Sequence, residues 1–100
     1  MLHIVNKSPF QTGTLQSCLD HALEGDAILL IEDGVYGALR GSVVAAAVEA
    51  ALGKVTFHAL GADVAARGIA PAKLIEGIAS VDYAGFVDLV AEHKTNQAWL

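Results

Sequence analysis

Cys18 and His21 are the two side chains in this sequence whose types and spacing best suit nucleophilic chemistry. They lie three positions apart in a stretch that we predict to be a helix, so both project from the same side of it. The reactive form of cysteine is the thiolate, and a protonated imidazole or a helix N-terminus lowers the thiol pKa from its usual value of about 8.5. The spacing therefore indicates a candidate site in which Cys18 carries persulfide sulfur and His21 activates the thiol.

A structural role for Cys18 is the alternative interpretation. Cys18 lies between Leu15 and Leu19 in an amphipathic pattern, and unpaired cysteine is among the most frequently buried residue types. A zinc site built on Cys18, His21, Asp20 and a distant histidine is disfavoured, because structural zinc takes four ligands that commonly come in paired spacings. We therefore expect neither a metal nor a cofactor.

The remaining histidines and one acidic segment are weaker candidates. His3 and His58 fall on predicted strands and His93 on a predicted helix, and each is expected to be a hydrogen-bonded core or surface histidine. The segment EDGVYG at 32–37 follows a strand, at the edge where open α/β sheets bind ligands. It lacks the G-x-G-x-x-G pattern, and its two carboxylates would repel a nucleotide phosphate. It is either a ligand site or a turn that ends the strand, since Asp-Gly is common in turns.

The composition narrows the range of functions. Of the 100 residues, 54% are hydrophobic and 17% are charged, and the net charge is −5. Such a chain is expected to fold, with part of its apolar excess facing another subunit. The six basic residues are scattered, which argues against direct nucleic-acid binding. The sequence shows no export signal and no apolar run long enough to span a bilayer, so we expect a cytoplasmic protein with a free thiol and no membrane insertion.

Apolar runs alternate with amphipathic stretches along the chain. Runs at 2–5 and 27–31 predict buried parallel strands, and the stretch between them predicts a helix that starts near 12–14. The elements predicted downstream are a turn at Asp33-Gly34, an apolar helix over 41–52, a strand over 55–60, a short helix capped by Asp63, a loop or helix start at Pro71, a strand over 80–83, a helix carrying Phe86, Leu89, Val90 and His93, and a final strand over 97–100.

This alternation predicts a single-domain α/β layered fold over residues 1–100, with a mostly parallel sheet flanked by helices. The helix predicted over 41–52 is apolar nearly all round. We expect it to form part of a contact with another subunit.

Motifs spread over the whole chain resemble the DsrH/TusB family of the DsrE-like group. The matching segments, in order, are MLH at 1–3, NKSPF at 6–10, EDGV at 32–35, Asp63 with ARG at 66–68, VDY at 81–83 with FV at 86–87, and QAW at 97–99. The stretch LQSCL at 15–19 is most similar to the DsrH branch of sulfur-oxidising bacteria, whose members carry a cysteine here that typical TusB proteins lack.

The resemblance implies a DsrE/F/H-like fold and a place in a sulfur relay. It implies assembly with DsrE/TusD-like and DsrF/TusC-like subunits into a heterohexamer, and sulfur exchange with a DsrC/TusE-like carrier protein. The sulfur then serves intracellular sulfur oxidation or 2-thiolation of the tRNA wobble uridine. The main sulfur-accepting cysteine of these complexes belongs to the DsrE/TusD-type subunit. A homo-oligomer is a further arrangement, because the subunits of the family share one fold.

Two functional hypotheses follow from these observations. In the first, Cys18 carries persulfide sulfur with His21 as its activator, and the chain is a subunit of a sulfurtransferase complex. In the second, the chain is a structural or regulatory subunit that completes the complex without sulfur chemistry of its own. The DsrH-like cysteine favours sulfur oxidation over tRNA thiolation.

Overall fold

The structure, a computed structural model, describes residues 1–99. Strands alternate with helices, as the sequence predicts. The elements are β1 (Leu2–Val5), α1 (Thr14–His21), β2 (Ala27–Leu30), a 3₁₀ helix (Glu32–Ala38), α2 (Ala45–Ala51), β3 (Thr56–Leu60), α3 (Gly61–Ala66), a second 3₁₀ helix (Pro71–Lys73), β4 (Ala79–Val81), α4 (Tyr83–Glu92) and β5 (Asn96–Trp99). The predicted last strand is confirmed over Asn96–Trp99, and Leu100 lies outside the described residues.

The strands form one five-stranded sheet in the order β4-β3-β2-β1-β5, and each neighbouring pair is parallel. Strand β1 therefore lies between β2 and β5, with Leu2 paired to Ala27 on one side and to Asn96 on the other. Parallel neighbours need long crossover connections, which the helices supply. The predicted α/β fold with a parallel sheet flanked by helices is confirmed.

One face of the sheet, here called the α1 face, carries the larger apolar layer. Val5, Ile28 and Phe57 point to this face and pack with Leu15 of α1 and Val48 of α2. Burying each of these side chains contributes roughly 1.5–3 kcal/mol. This layer is the reason that the amphipathic stretch after β1 forms a helix against the sheet.

The opposite face, here called the α4 face, carries a smaller layer. Leu2 and Leu29 point to it and pack with Leu89, while Phe86 and Val90 of α4 flank the cluster. Because successive residues of a strand point to opposite faces, a strand covered on both sides is apolar at every position. All four residues of β2 are buried, as this geometry requires.

Helix α1 begins at Thr14, within the predicted start region, whereas the apolar helix predicted over 41–52 is too long. Helix α2 covers only Ala45–Ala51. Gly41 has a φ of +69°, in the left-handed region that a helix does not pass through, and turns precede Ala45. Helix α1 ends at His21, and the side chain of Leu23, which follows it, is 69% exposed.

The predicted cap of α3 by Asp63 is wrong. The helix begins earlier, at Gly61, and no side chain caps its first turn. The Asp63 carboxylate instead accepts the backbone N–H of Glu32 at 2.7 Å. Asp63 therefore links α3 to the segment that follows β2, since it lies inside the first turn of α3 and not at the N-cap position.

The predicted turn at Asp33-Gly34 is part of a seven-residue 3₁₀ helix. This helix passes directly over the end of β1, where a side chain on Gly34 would overlap the carbonyl oxygen of Val5. Within residues 1–99, no helix is long and apolar enough to cross a membrane.

We predict that Gly34→Ala destabilises the fold by about 3 kcal/mol or more, because the added methyl group collides with backbone that cannot yield cheaply. Gly13→Ala is the matched control, since nothing lies within 4 Å of the position its Cβ would take. Urea unfolding of both variants measures the difference. Equal stability of the two variants would contradict the close approach of the 3₁₀ helix to β1.

Candidate functional site

Cys18 is fully buried on the α1 face, in the same cluster as Val5 and Leu15. Burial, and to a smaller extent the negative charge of Asp26, raises the pKa of the Cys18 thiol to about 12. A thiol with this pKa is protonated at neutral pH, and the protonated form is neither a nucleophile nor a ready acceptor of sulfur. This environment favours the structural interpretation of Cys18.

His21 lies on the exposed side of α1. Its Nδ1 atom is 2.8 Å from the carbonyl oxygen of Ser17, which only accepts, so Nδ1 carries a proton and donates. The His21 ring also lies 5.5 Å from the ring of Trp99. No hydrogen bond joins Cys18 to His21 within residues 1–99, because one side chain enters the core and the other lies at the rim of the helix.

A buried polar network adjoins this helix and centres on Asp26. One carboxylate oxygen of Asp26 accepts the N–H of Leu23 at 2.9 Å and lies 2.8 Å from Nε2 of His3. The other oxygen lies 3.0 Å from the amino group of Met1. Burial alone would raise the pKa of Asp26, but these hydrogen bonds and the positive charge outweigh it and hold the pKa well below its usual range.

The contacts of His3 fix its tautomer. The indole N–H of Trp99 donates to Nδ1 of His3 at 3.1 Å, and an indole nitrogen is a donor only. Nδ1 of His3 must therefore be unprotonated, so the proton lies on Nε2 and is donated to Asp26. The result is a chain of hydrogen bonds from Trp99 through His3 to Asp26, with a buried histidine that is satisfied on both nitrogens, as the sequence led us to expect for His3.

A surface cavity of about 510 Å³ opens over this network, with Met1, His21, Leu23 and Trp99 among its lining residues. The buried polar atoms below it are already paired within the chain. The cavity therefore offers mainly apolar and aromatic surface, and Nε2 of His21 is the ring nitrogen not engaged by Ser17. No group of three or more potential metal-binding side chains occurs in the part of the chain that the structure describes.

The acidic segment after β2 forms a second polar cluster, at the carboxyl ends of the strands. Arg67 pairs with Asp33 at 2.9 Å and donates to the carbonyl oxygen of Asp63 at 3.2 Å. Glu32 has a φ of +49°, which is uncommon for a residue with a side chain. The backbone N–H of Glu32 donates to Asp63, so these contacts join the 3₁₀ helix to α3. They give the positive φ of Glu32 a structural explanation.

Asp26 is not among the site residues that the sequence predicts, and Trp99 enters the prediction only as part of a family motif. Asp26 follows Gly25, whose φ is +89°, and the pair looks like ordinary turn chemistry. The only sequence feature that indicates this contact is the position of Asp26, which directly precedes β2, the strand beside the one that carries His3. Pairing these strands in parallel brings the two side chains together.

The fold is that of a small parallel-sheet α/β protein, and it occurs in solved structures. The ychN protein from E. coli superposes with a TM-score of 0.82 at 18% identity, covering 97% of each chain. A protein of unknown function from Methanobacterium thermoautotrophicum gives a TM-score of 0.76 at 21% identity, covering 97% of this chain and 95% of that chain. At these identities the likeness establishes the fold.

The sequence assigns the chain more narrowly. Residues 7–96 match the family described as DsrH like protein. Protein TusB of Sodalis glossinidius is 38% identical over 99 residues, which cover 99% of this chain and 100% of TusB, and Protein TusB of an Escherichia coli strain is 36% identical over 99 residues with the same coverage. The chain belongs to the DsrH-like family, and the resemblance to DsrH/TusB proteins is confirmed.

We predict that the Cys18 thiol is inert in the folded chain. An aromatic disulfide reagent should label it in urea and leave it unlabelled in native buffer, because the thiol is buried and protonated. The folded state also holds the thiol proton more tightly than the unfolded state does. The contribution of the Cys18 thiol to the free energy of unfolding should therefore be fully present below about pH 9 and should fall as the pH rises towards about 12.

That fall should approach 1.4 kcal/mol per pH unit for one group. Cys18→Ala should lack this component, so the difference between the two pH profiles isolates it. Rapid labelling of the native chain, or identical pH slopes for both proteins, would show that Cys18 is accessible.

We predict that Asp26→Asn lowers the free energy of unfolding by about 3 kcal/mol at neutral pH, because it removes the buried carboxylate that His3 and the Met1 amine share. The carboxylate pKa is depressed in the folded state, so its contribution is present above the unfolded pKa of about 3.9 and declines as the pH falls below it. The variant should lack this acid dependence. Glu24→Gln, an exposed change in the same loop, is the control, and a similar loss in the control would contradict the prediction.

Proposed function

We propose that this chain is a subunit of a sulfur-relay complex of the DsrEFH/TusBCD kind. The observation that carries the proposal is the identity of 35–38% to proteins named TusB, over essentially the full length of both sequences. The likeness spreads over the whole sheet and its helices and is not confined to one motif. The proposed destination of the sulfur is 2-thiolation of the tRNA wobble uridine, which is the role of the TusB branch. Intracellular sulfur oxidation, which the LQSCL segment favoured, stays a prediction.

The proposed partners are a DsrE/TusD-like and a DsrF/TusC-like subunit in a heterohexamer, with a DsrC/TusE-like protein as the sulfur carrier. The surface supports association with other proteins. Only 17% of the residues are charged, and large apolar side chains such as Phe10, Val43 and Tyr83 are more than half exposed. A small protein with such a surface is a good candidate for burial in an assembly. A homo-oligomer stays open as the alternative arrangement.

Within the complex, we propose a structural and docking role for this chain. The buried Cys18 thiol with its raised pKa supports this role, because sulfur transfer needs an accessible thiolate. In such a transfer the acceptor thiolate attacks the outer sulfur of a donor persulfide. A new S–S bond forms, the old one breaks, and the donor leaves as a thiolate.

The persulfide role of Cys18, with His21 as its activator, stays a prediction of the sequence. It requires that assembly with a partner expose the thiol and bring it near an acid–base group. Among residues 1–99 only Nδ1 of His21 has a hydrogen-bond partner, the carbonyl oxygen of Ser17, so Nε2 can make such a contact.

We predict that the chain purifies as a stable complex when co-expressed with the TusC-like and TusD-like subunits of the same organism. When the complex is offered a persulfide donor, mass spectrometry should find the added sulfur on a partner cysteine and not on the peptide that contains Cys18. Cys18→Ser should leave assembly and partner labelling unchanged. Absence of a complex would overturn the proposed function, whereas a sulfur adduct on Cys18 that disappears in Cys18→Ser would make the chain a carrier in its own right.

A further inference from the structure

Helix α4 is apolar around more than half of its circumference. Its inner side carries Phe86, Leu89 and Val90, which pack on the α4 face of the sheet. On its outer side Tyr83 is 65% exposed and Val87 is 64% exposed. A helix on the surface of a monomer normally turns a polar side to solvent, so the exposed part of this apolar arc is suited to being covered by another protein surface.

The exposed apolar residues of α4 form one continuous stripe. Tyr83, Ala84, Val87 and Ala91 are all exposed, and at 100° per residue they fall within about 100° of the helix circumference. These four residues are here called the outer stripe. Small residues beside a tyrosine allow another backbone to approach closely while the aromatic ring supplies contact area.

Two carboxylates flank the outer stripe on one side. Asp88 and Glu92 are exposed and lie four residues apart on α4, where like charges repel each other. Neither forms an ion pair within residues 1–99. This pair is here called the acidic rim. A partner that brings positive charge relieves the repulsion between the two carboxylates.

The outer stripe continues into a groove at the start of α4. Tyr83 lines a surface cavity of about 560 Å³ together with Gly61, Ser80 and Val81. A side chain on Gly61 would place its Cβ 2.9 Å from the Ser80 hydroxyl oxygen and would fill part of this groove. The groove therefore gives a partner side chain a place to enter beside the stripe.

We propose that the outer stripe and the acidic rim bind an apolar surface with a basic rim on another subunit of the complex. This inference rests on the proposed function and names the surface through which the chain contacts another subunit. The occupant is a different chain and not a second copy. In an antiparallel two-fold pairing of α4 helices the same flanks meet, so Asp88 and Glu92 of one copy would face the same carboxylates of the other.

Val87→Lys tests the outer stripe. Placed at the centre of the stripe, the lysine should weaken association with the co-expressed TusC-like and TusD-like subunits by about tenfold or more. Gln16→Lys is the control, because Gln16 is exposed on α1, which packs on the other face of the sheet. Its affinity should stay within about twofold of the unmodified chain, as expected outside a contact. Thermal unfolding of the isolated variants checks that both remain folded.

The acidic rim is tested by Asp88→Asn combined with Glu92→Gln. This variant should bind the partner subunits more weakly and with a smaller dependence on salt concentration, because charges at an interface rim act mainly through long-range attraction. Glu24→Gln combined with Glu76→Gln removes two exposed charges elsewhere and is the control. An equal change in salt dependence in both double variants would overturn the role of the rim.

The outcomes separate this inference from the proposed function. If the unmodified chain does not assemble with the two subunits, the proposed function fails and the inference falls with it. If it assembles and Val87→Lys binds as tightly as the unmodified chain, or if Gln16→Lys is weakened equally, the inference alone is overturned. Loss of self-association in Val87→Lys, with hetero-assembly intact, would identify a second copy as the occupant and would also overturn it.

Discussion

The carboxylate of Asp26 holds together parts of the chain that are distant in sequence. It binds the loop that follows α1 through the N–H of Leu23, the first strand through His3 and, by way of His3, the last strand through the indole of Trp99. A buried charge is tolerated only where donors surround it. The amino-terminal side of the sheet therefore depends on the correct pairing of β2 with β1 and of β1 with β5, because these pairings bring the donors to Asp26.

Much of the fold could be predicted from the sequence, because the apolar runs of β1, β2 and β3 are short and sharply bounded and the amphipathic pattern of α1 is regular. The errors fall where a local pattern has more than one solution. With Gly41 in a left-handed conformation, the apolar stretch before Ala45 forms turns and not helix. The Asp63 carboxylate accepts the N–H of Glu32 instead of capping the helix. Such outcomes depend on tertiary neighbours, which composition and periodicity do not specify.

The candidate site was less predictable than the fold. The spacing of Cys18 and His21 correctly places them on neighbouring positions of one helix, but it does not reveal that the sheet covers Cys18 while His21 stays in solvent. A free cysteine in an amphipathic pattern fits both a reactive and a buried thiol, and only the three-dimensional surroundings decide its pKa. The Asp26 network had even less of a signal, since its members lie in three separate segments.

The position of β1 inside the sheet also shapes how the chain folds. Both neighbours of β1 must be in place before its backbone groups are paired, and one of them is the last strand that the structure describes. The contact between His3 and Trp99 spans 96 positions, so it closes a very long loop. Contacts of such high sequence separation are entropically costly to form and slow a folding reaction. Trp99 is the sole tryptophan of the sequence, so its fluorescence reports the docking of β5 directly.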